Sequence, residues 1–124
     1  MGFKHQTNPI QIPVPGGKTI SEHFGIPSAG NSDISIAHMV APSGWGEPFQ
    51  TPNFDEWTLM VRGKKQIEIN GKIVILSAGE SILIEKGTRV RYSNPFADDA
   101  EYWSVCKPAF ALDLVNREDT SEGN

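Results

Sequence analysis

An all-β domain is what this sequence predicts, on three observations. Twelve glycines and nine prolines punctuate 124 residues. Between them lie short runs of alternating or β-branched apolar residues, the pattern of strands rather than of long helices. Two of these runs are joined by Asn70-Gly71, the strongest short hairpin signal. About eight strands at this spacing fit a sandwich or small barrel, and a chain of this length has material for one buried core and not for two.

The elements follow in order. Ile10, Ile12 and Val14 alternate with Gln11, Pro13 and Pro15, which reads as a short edge strand because proline cannot donate to a central ladder. Gly16-Gly17 ends it. A second strand is predicted over Ile34 to Val40, and an irregular loop from Pro42 to Pro52 follows, carrying Gly44, Gly46, Pro48 and Pro52. Strands over Glu56 to Arg62, Gln66 to Ile69 and Lys72 to Leu76 come next, the last two forming the Asn70-Gly71 hairpin. Ser81 to Ile84, Val90 to Asn94 and Glu101 to Lys107 complete the set, with turns at Lys86-Gly87 and Asn94-Pro95. After Pro108, Ala109 to Arg117 has the pattern of a short helix, and 118–124 is too polar to bury, so a tail is expected there. The domain thus spans 1–124, with its core at about 32–108.

Charge narrows the function. A net charge of about -4 and a pI near 5.3 give no broad positive field for nucleic acid. Arg62-Gly63-Lys64-Lys65 falls in a predicted turn and reads as solvated charge, while the alternate placement of Arg89 and Arg91 points them away from the interior. Gly16-Gly17-Lys18-Thr19 lacks the spaced first glycine and following helix of a phosphate loop. The single cysteine, Cys106, excludes an internal disulfide and fits a reducing compartment. The longest apolar runs are far short of a membrane span, no signal-peptide pattern is present, and Gln6 stands where a myristoylation signal needs Ser or Thr, so a cytoplasmic protein is expected.

Two blocks resemble the paired motifs of the cupins. In Gly46 to Gly63, Glu56 and Gly63 keep the motif's spacing, but Gln50 and Pro52 occupy the places of its two histidines. In Gly79 to Asn94 the glycines at 79 and 87 and the closing Asn94 are kept, with Glu85 in place of a proline and Val90 in place of the third histidine. The resemblance implies a cupin jelly-roll β-barrel, antiparallel and commonly dimeric, whose metal site is degenerate. Within the cupins, Asn53 to Gly63, the hairpin Ile67 to Ile75, and Ala78 to Gly87 are similar to the ethanolamine-utilisation Q-type proteins, which also lack the histidines. That subgroup is associated with acetate kinase activity and bacterial microcompartments.

Strand parity then selects the candidate site. If Glu56 points inward, as the resemblance implies, Thr58 and Met60 share its face while Trp57, Leu59 and Val61 face a second sheet or a partner subunit. The neighbouring Asp55 points the other way, so Asp55-Glu56 is not a catalytic dyad. Val90 and Tyr92 turn inward by the same rule. Gln50, Thr58, Met60 and Tyr92 therefore form a small ligand-binding pocket around Glu56. Trp45 is a wall or a packed ring, and either Tyr102 or Trp103 joins from the last strand. His38 either reaches this cavity or is a hydrogen-bonded structural residue. Metal sites of this kind need three or more converging ligands. Only Glu56 is strong here, so no cofactor is expected, with a divalent metal on Glu56 and His38 or Gln50 left open.

The leading expectation is recognition of a small polar metabolite by a homodimer, without metal, nucleic acid or membrane. Burial without a cation pushes the Glu56 carboxyl toward protonation, which suits it to act as general acid or base in a metal-independent isomerase, epimerase or lyase. A metal-dependent oxygenase or isomerase, and an acetate kinase by subgroup resemblance, are further alternatives.

Overall fold

The computed structural model describes residues 2–118. Nine strands and two short helices follow in the order β1 (Ile10–Gln11), β2 (Thr19–Phe24), α1 (Ile26–Ala29), β3 (Ser35–Ala41), β4 (Asp55–Arg62), β5 (Lys64–Ile69), β6 (Lys72–Ser77), β7 (Ser81–Ile84), β8 (Val90–Ser93), β9 (Ala100–Lys107) and α2 (Leu112–Val115). All pairings are antiparallel. A six-stranded sheet of order β1-β2-β3-β9-β4-β7 faces a three-stranded sheet of order β6-β5-β8, the jelly-roll arrangement.

Each predicted strand from Ile34 onward is present within one or two residues of its expected ends. The Asn70-Gly71 turn takes the positive φ values, 52° and 73°, that a two-residue hairpin needs. Gly63, at φ 77°, links β4 to β5 where a Cβ would collide with the Asp99 carbonyl oxygen, so no other residue fits this corner. The edge strand near the N-terminus keeps only Ile10–Gln11. Two elements were not foreseen, β2 and α1. The six-stranded sheet therefore starts before the core expected at 32–108, and β2 supplies part of the cavity wall. Strand β2 escaped notice because its inward series contains Glu22, which breaks the apolar alternation. The helix expected over Ala109 to Arg117 contracts to Leu112–Val115. Of the expected tail, Glu118 is tied down by its backbone bond to the Phe49 carbonyl and by Arg89, and 119–124 lie outside the described residues.

The core divides the barrel lengthwise. Ala41, Trp45, Met60, Ile67, Tyr92 and Tyr102 pack one end shut. At the other end Phe54, Cys106 and Val115 form a smaller cluster with Phe110 and Leu114, where α2 is strapped on by bonds from the Asn53 amide to the Leu114 carbonyl and from the Thr51 amide to the Asn116 carbonyl. Among the described residues no helix is long and apolar enough to cross a membrane.

Candidate functional site

The barrel encloses a cavity of about 700 Å³, open at the α2 end. That volume lies in the range of small-molecule sites. Strand alternation places its wall: Ser35, Ala37 and Met39 from β3, Glu56 from β4, Tyr92 from β8, and Ser104 and Cys106 from β9. In β9 the buried residues are Ala100, Tyr102, Ser104 and Cys106, so Tyr102 is the inward aromatic and Trp103 the outward one.

Glu56 lies on the cavity wall opposite Cys106 in the β4–β9 pairing, with both carboxylate oxygens engaged. Ser104 Oγ donates to Oε2 at 2.5 Å, and the Tyr92 hydroxyl donates to Oε1 at 3.2 Å. Burial first, and the Glu56 carboxylate second, push the Tyr92 phenol well above its ordinary value, so Tyr92 stays a donor at neutral pH. Gln50 is buried on the same wall and accepts from Arg117 Nε at 3.2 Å. Arg117 also reaches Glu47, at 3.5 Å.

The sequence reading of Glu56 as a carboxylate without a nearby cation is corrected here. Lys65, read as solvated turn charge, belongs to β5 on the same face as Ile67 and is only 2% exposed. Its Nζ lies 4.1 Å from the Tyr92 ring centroid and 3.8 Å from that of Tyr102. Lys18 joins it, because the Gly16-Gly17 turn, with φ of 85° and 80°, swings the chain so that Lys18 enters the barrel. Its Nζ lies 4.4 Å from the Trp45 ring centroid and 5.6 Å from that of Tyr102. Burial pulls the Lys18 pKa down, but attraction from Tyr102, Glu47 and Glu56 outweighs it, and the group ends above its ordinary value as a cation.

The remaining expected residues separate into two groups. Thr58, Met60, Trp45 and Tyr102 point inward but are buried in the packing beneath the cavity wall rather than on it, and Trp45 borders a second, open groove of about 580 Å³ on the outside. His38 is on the outer face. Its Nε2 bonds Glu101 at 2.8 Å and its ring meets Trp103 edge-on, so it does not reach the cavity. Asp55, as expected, also faces away from Glu56 and accepts from the Lys86 amide at 2.9 Å.

A metal does not fit these residues. Pro52 and Val90 offer no ligand atoms, both Glu56 oxygens accept hydroxyls, the Gln50 oxygen accepts from Arg117, and His38 is on the wrong face. Among the described residues no cluster of three His, Cys, Asp or Glu side chains could hold an ion.

A two-sheet antiparallel barrel with an internal cavity and two motif blocks without their histidines defines the class as a jelly-roll β-barrel. The family model for the cupin domain matches residues 37–106, and the chain belongs to the cupin family. Among solved structures it is similar to the EutQ protein of Clostridium difficile, with 26% identity and a TM-score of 0.60, over 75% of this chain and 65% of that one. The sequence resemblance to the Q-type cupins is thus shared by the fold. KdgF from Halomonas sp. superposes with a TM-score of 0.70 at 16% identity, over 87% of this chain and 98% of that one, a likeness of fold alone. A curated relative, the endoribonuclease YbeY of Myxococcus xanthus (strain DK1622), is 41% identical over 107 residues, which are 86% of this chain and 36% of that protein. The chain thus spans about a third of that relative's length.

Among the wall residues missed from sequence, three bear on the chemistry of the site. Ser104 follows from the parity that links Tyr102 and Cys106, and Lys65 from its two-residue offset to the inward Ile67. Lys18 had no such signal, since β2 itself was not legible.

Proposed function

We propose that this cupin binds a small polar metabolite inside the barrel, in a site organised by Glu56 rather than by a metal. One observation carries the reading: a ligand-sized cavity has on its wall a carboxylate held in place by Ser104 and Tyr92, with Lys18, Lys65 and Gln50 around it. Such a wall offers acceptors and donors to a polar ligand, and Ile12, Val14, Ile20, Met39, Phe110 and Leu112 add apolar surface. The test is thermal denaturation of the purified protein against a panel of small acids, polyols and sugars. A ligand at 100 times its Kd stabilises by about 2.7 kcal/mol, and Glu56→Gln is expected to weaken the response. A panel that leaves the transition unmoved removes the proposal.

A second reading has a specific support. Glu56, with the Tyr92 phenol and the Ser104 hydroxyl bonded to its two oxygens, is arranged to exchange a proton with a bound molecule, as a metal-independent isomerase, epimerase or lyase requires. For any ligand found in the panel, product analysis by NMR distinguishes the two. A general acid or base loses turnover by about 10²-fold in Glu56→Gln while the ligand still binds.

A further inference from the structure

The hydrogen bonds and ion pairs of the cavity leave two charges over. Glu56 is satisfied by Ser104 and Tyr92, Glu22 by Ser28 at 2.7 Å, and Glu47 by Arg117, while Asp113 sits at the exposed mouth on α2. Lys65 has no such partner. Among the described residues no carboxylate comes within ion-pair distance of its Nζ, which makes no hydrogen bond, although the side chain is more than nine-tenths buried. The faces of Tyr92 and Tyr102 compensate an ammonium only in part, because a cation over a ring recovers much less than the water it has given up. Lys18 comes against the same Tyr102 ring from the turn just before β2 and likewise has no carboxylate at ion-pair distance among the described residues.

We infer that the end of the cavity where Lys65 and Lys18 meet is a carboxylate subsite, in which the two ammonium groups receive the acid group of the ligand, and that the ligand is a small carboxylic acid with an apolar body. The inference rests on the reading of the barrel as a binding cavity and names the class of ligand. The apolar body follows from the rest of the lining, where Ile12, Val14, Ile20, Met39, Phe110 and Leu112 contribute hydrocarbon surface. A carboxylate suits the subsite better than a phosphate, because Glu22, Glu47 and Glu56 share the cavity and oppose a dianion more than a monoanion. The Arg117 guanidinium is already engaged by Gln50 and Glu47.

Matched probes test this with the full chain: benzoate against benzamide, hexanoate against hexanamide, inorganic phosphate, and the neutral polyol xylitol, each by calorimetric titration at neutral pH. Carboxylates are expected to bind about ten-fold or more tightly than their amides, with phosphate giving no signal. Lys65→Met is expected to lower carboxylate affinity by about ten-fold or more while leaving or raising the melting temperature of the free protein, since it removes an unpaired charge. Lys65→Gln, which keeps a polar head, and Lys18→Met serve as second variants if Lys65→Met does not fold. Carboxylate binding that survives both lysine changes overturns the subsite, as does phosphate binding equal to that of the acids. Xylitol binding without carboxylate binding overturns the subsite and leaves the binding function standing. No binding by any probe removes both.

Discussion

Glu56 and Glu101 stand on opposite faces of one sheet and are satisfied in opposite ways. On the outer face Glu101 takes nitrogen partners, His38 Nε2 at 2.8 Å and the Arg62 guanidinium at 3.1 Å. On the inner face Glu56 takes only hydroxyls, from Ser104 and Tyr92, although two lysines share its cavity. The difference is informative because charges of either sign are available on both sides. Outside, where water screens the pair, the charges neutralise one another and the result is structural. Inside, hydroxyls fix the carboxylate, and neither lysine forms an ion pair among the described residues.

The sharpest way to break this contrast is Ser104→Val. Removing the hydroxyl leaves one oxygen of a half-buried carboxylate without its donor, and a loss of about 1 to 3 kcal/mol is expected in urea denaturation. A negligible loss shows that Glu56 finds another donor, and the inner face then resembles the outer.

Alkaline and acid titrations separate the faces next. The folded-state pKa of Lys18 is raised above its ordinary 10.5, so its contribution is complete below that value and lost as pH rises through the folded one. Stability measured from pH 8 to 12 is expected to fall at the alkaline end and to fall less in Lys18→Met. Glu101 moves the other way, because the His38 bond and then the Arg62 bond hold it below its ordinary 4.5. Its contribution is present above 4.5 and is lost as pH drops through the folded value, so Glu101→Gln is expected to flatten the acid limb between about pH 5 and 2. An acid limb unchanged in that variant makes the outer cluster irrelevant to stability.

The smallest effect belongs to Thr58. Its Oγ1 is buried inside the barrel without a partner. Thr58→Val is expected to be neutral or to stabilise by up to about 1 kcal/mol in thermal denaturation. A clear destabilisation indicates a bond to ordered water within the inner network.

Much of the barrel was legible in sequence because its strands obey simple rules. Alternation located β3 to β9, Asn70-Gly71 fixed a hairpin, and parity placed Glu56, Tyr92 and Val90 inward and Arg89, Arg91 and Asp55 outward. What stayed hidden were polar residues at apolar positions. Lys65 lies beside Gly63 and Lys64 and reads as a charged turn, yet the corner at Gly63 is so tight that the strand resumes at once and carries Lys65 inside. Glu22 conceals β2 in the same manner, and with β2 went the means of placing Lys18. His38 failed for the opposite reason, since its neighbours Ala37 and Met39 hold the inward positions and only the pairing with β9 reveals which set faces the cavity.

Cys106 has a practical consequence of its own. It is the single cysteine in the chain, it lies on the cavity wall toward the mouth, and burial, followed by the Glu56 charge, pushes its thiol well up from its ordinary value. A thiol held protonated is slow toward disulfide reagents, whose attack needs the thiolate. The rate of labelling by such a reagent is therefore a clock for breathing of the barrel mouth, and a molecule lodged in the barrel slows that clock without any tag or dye being added.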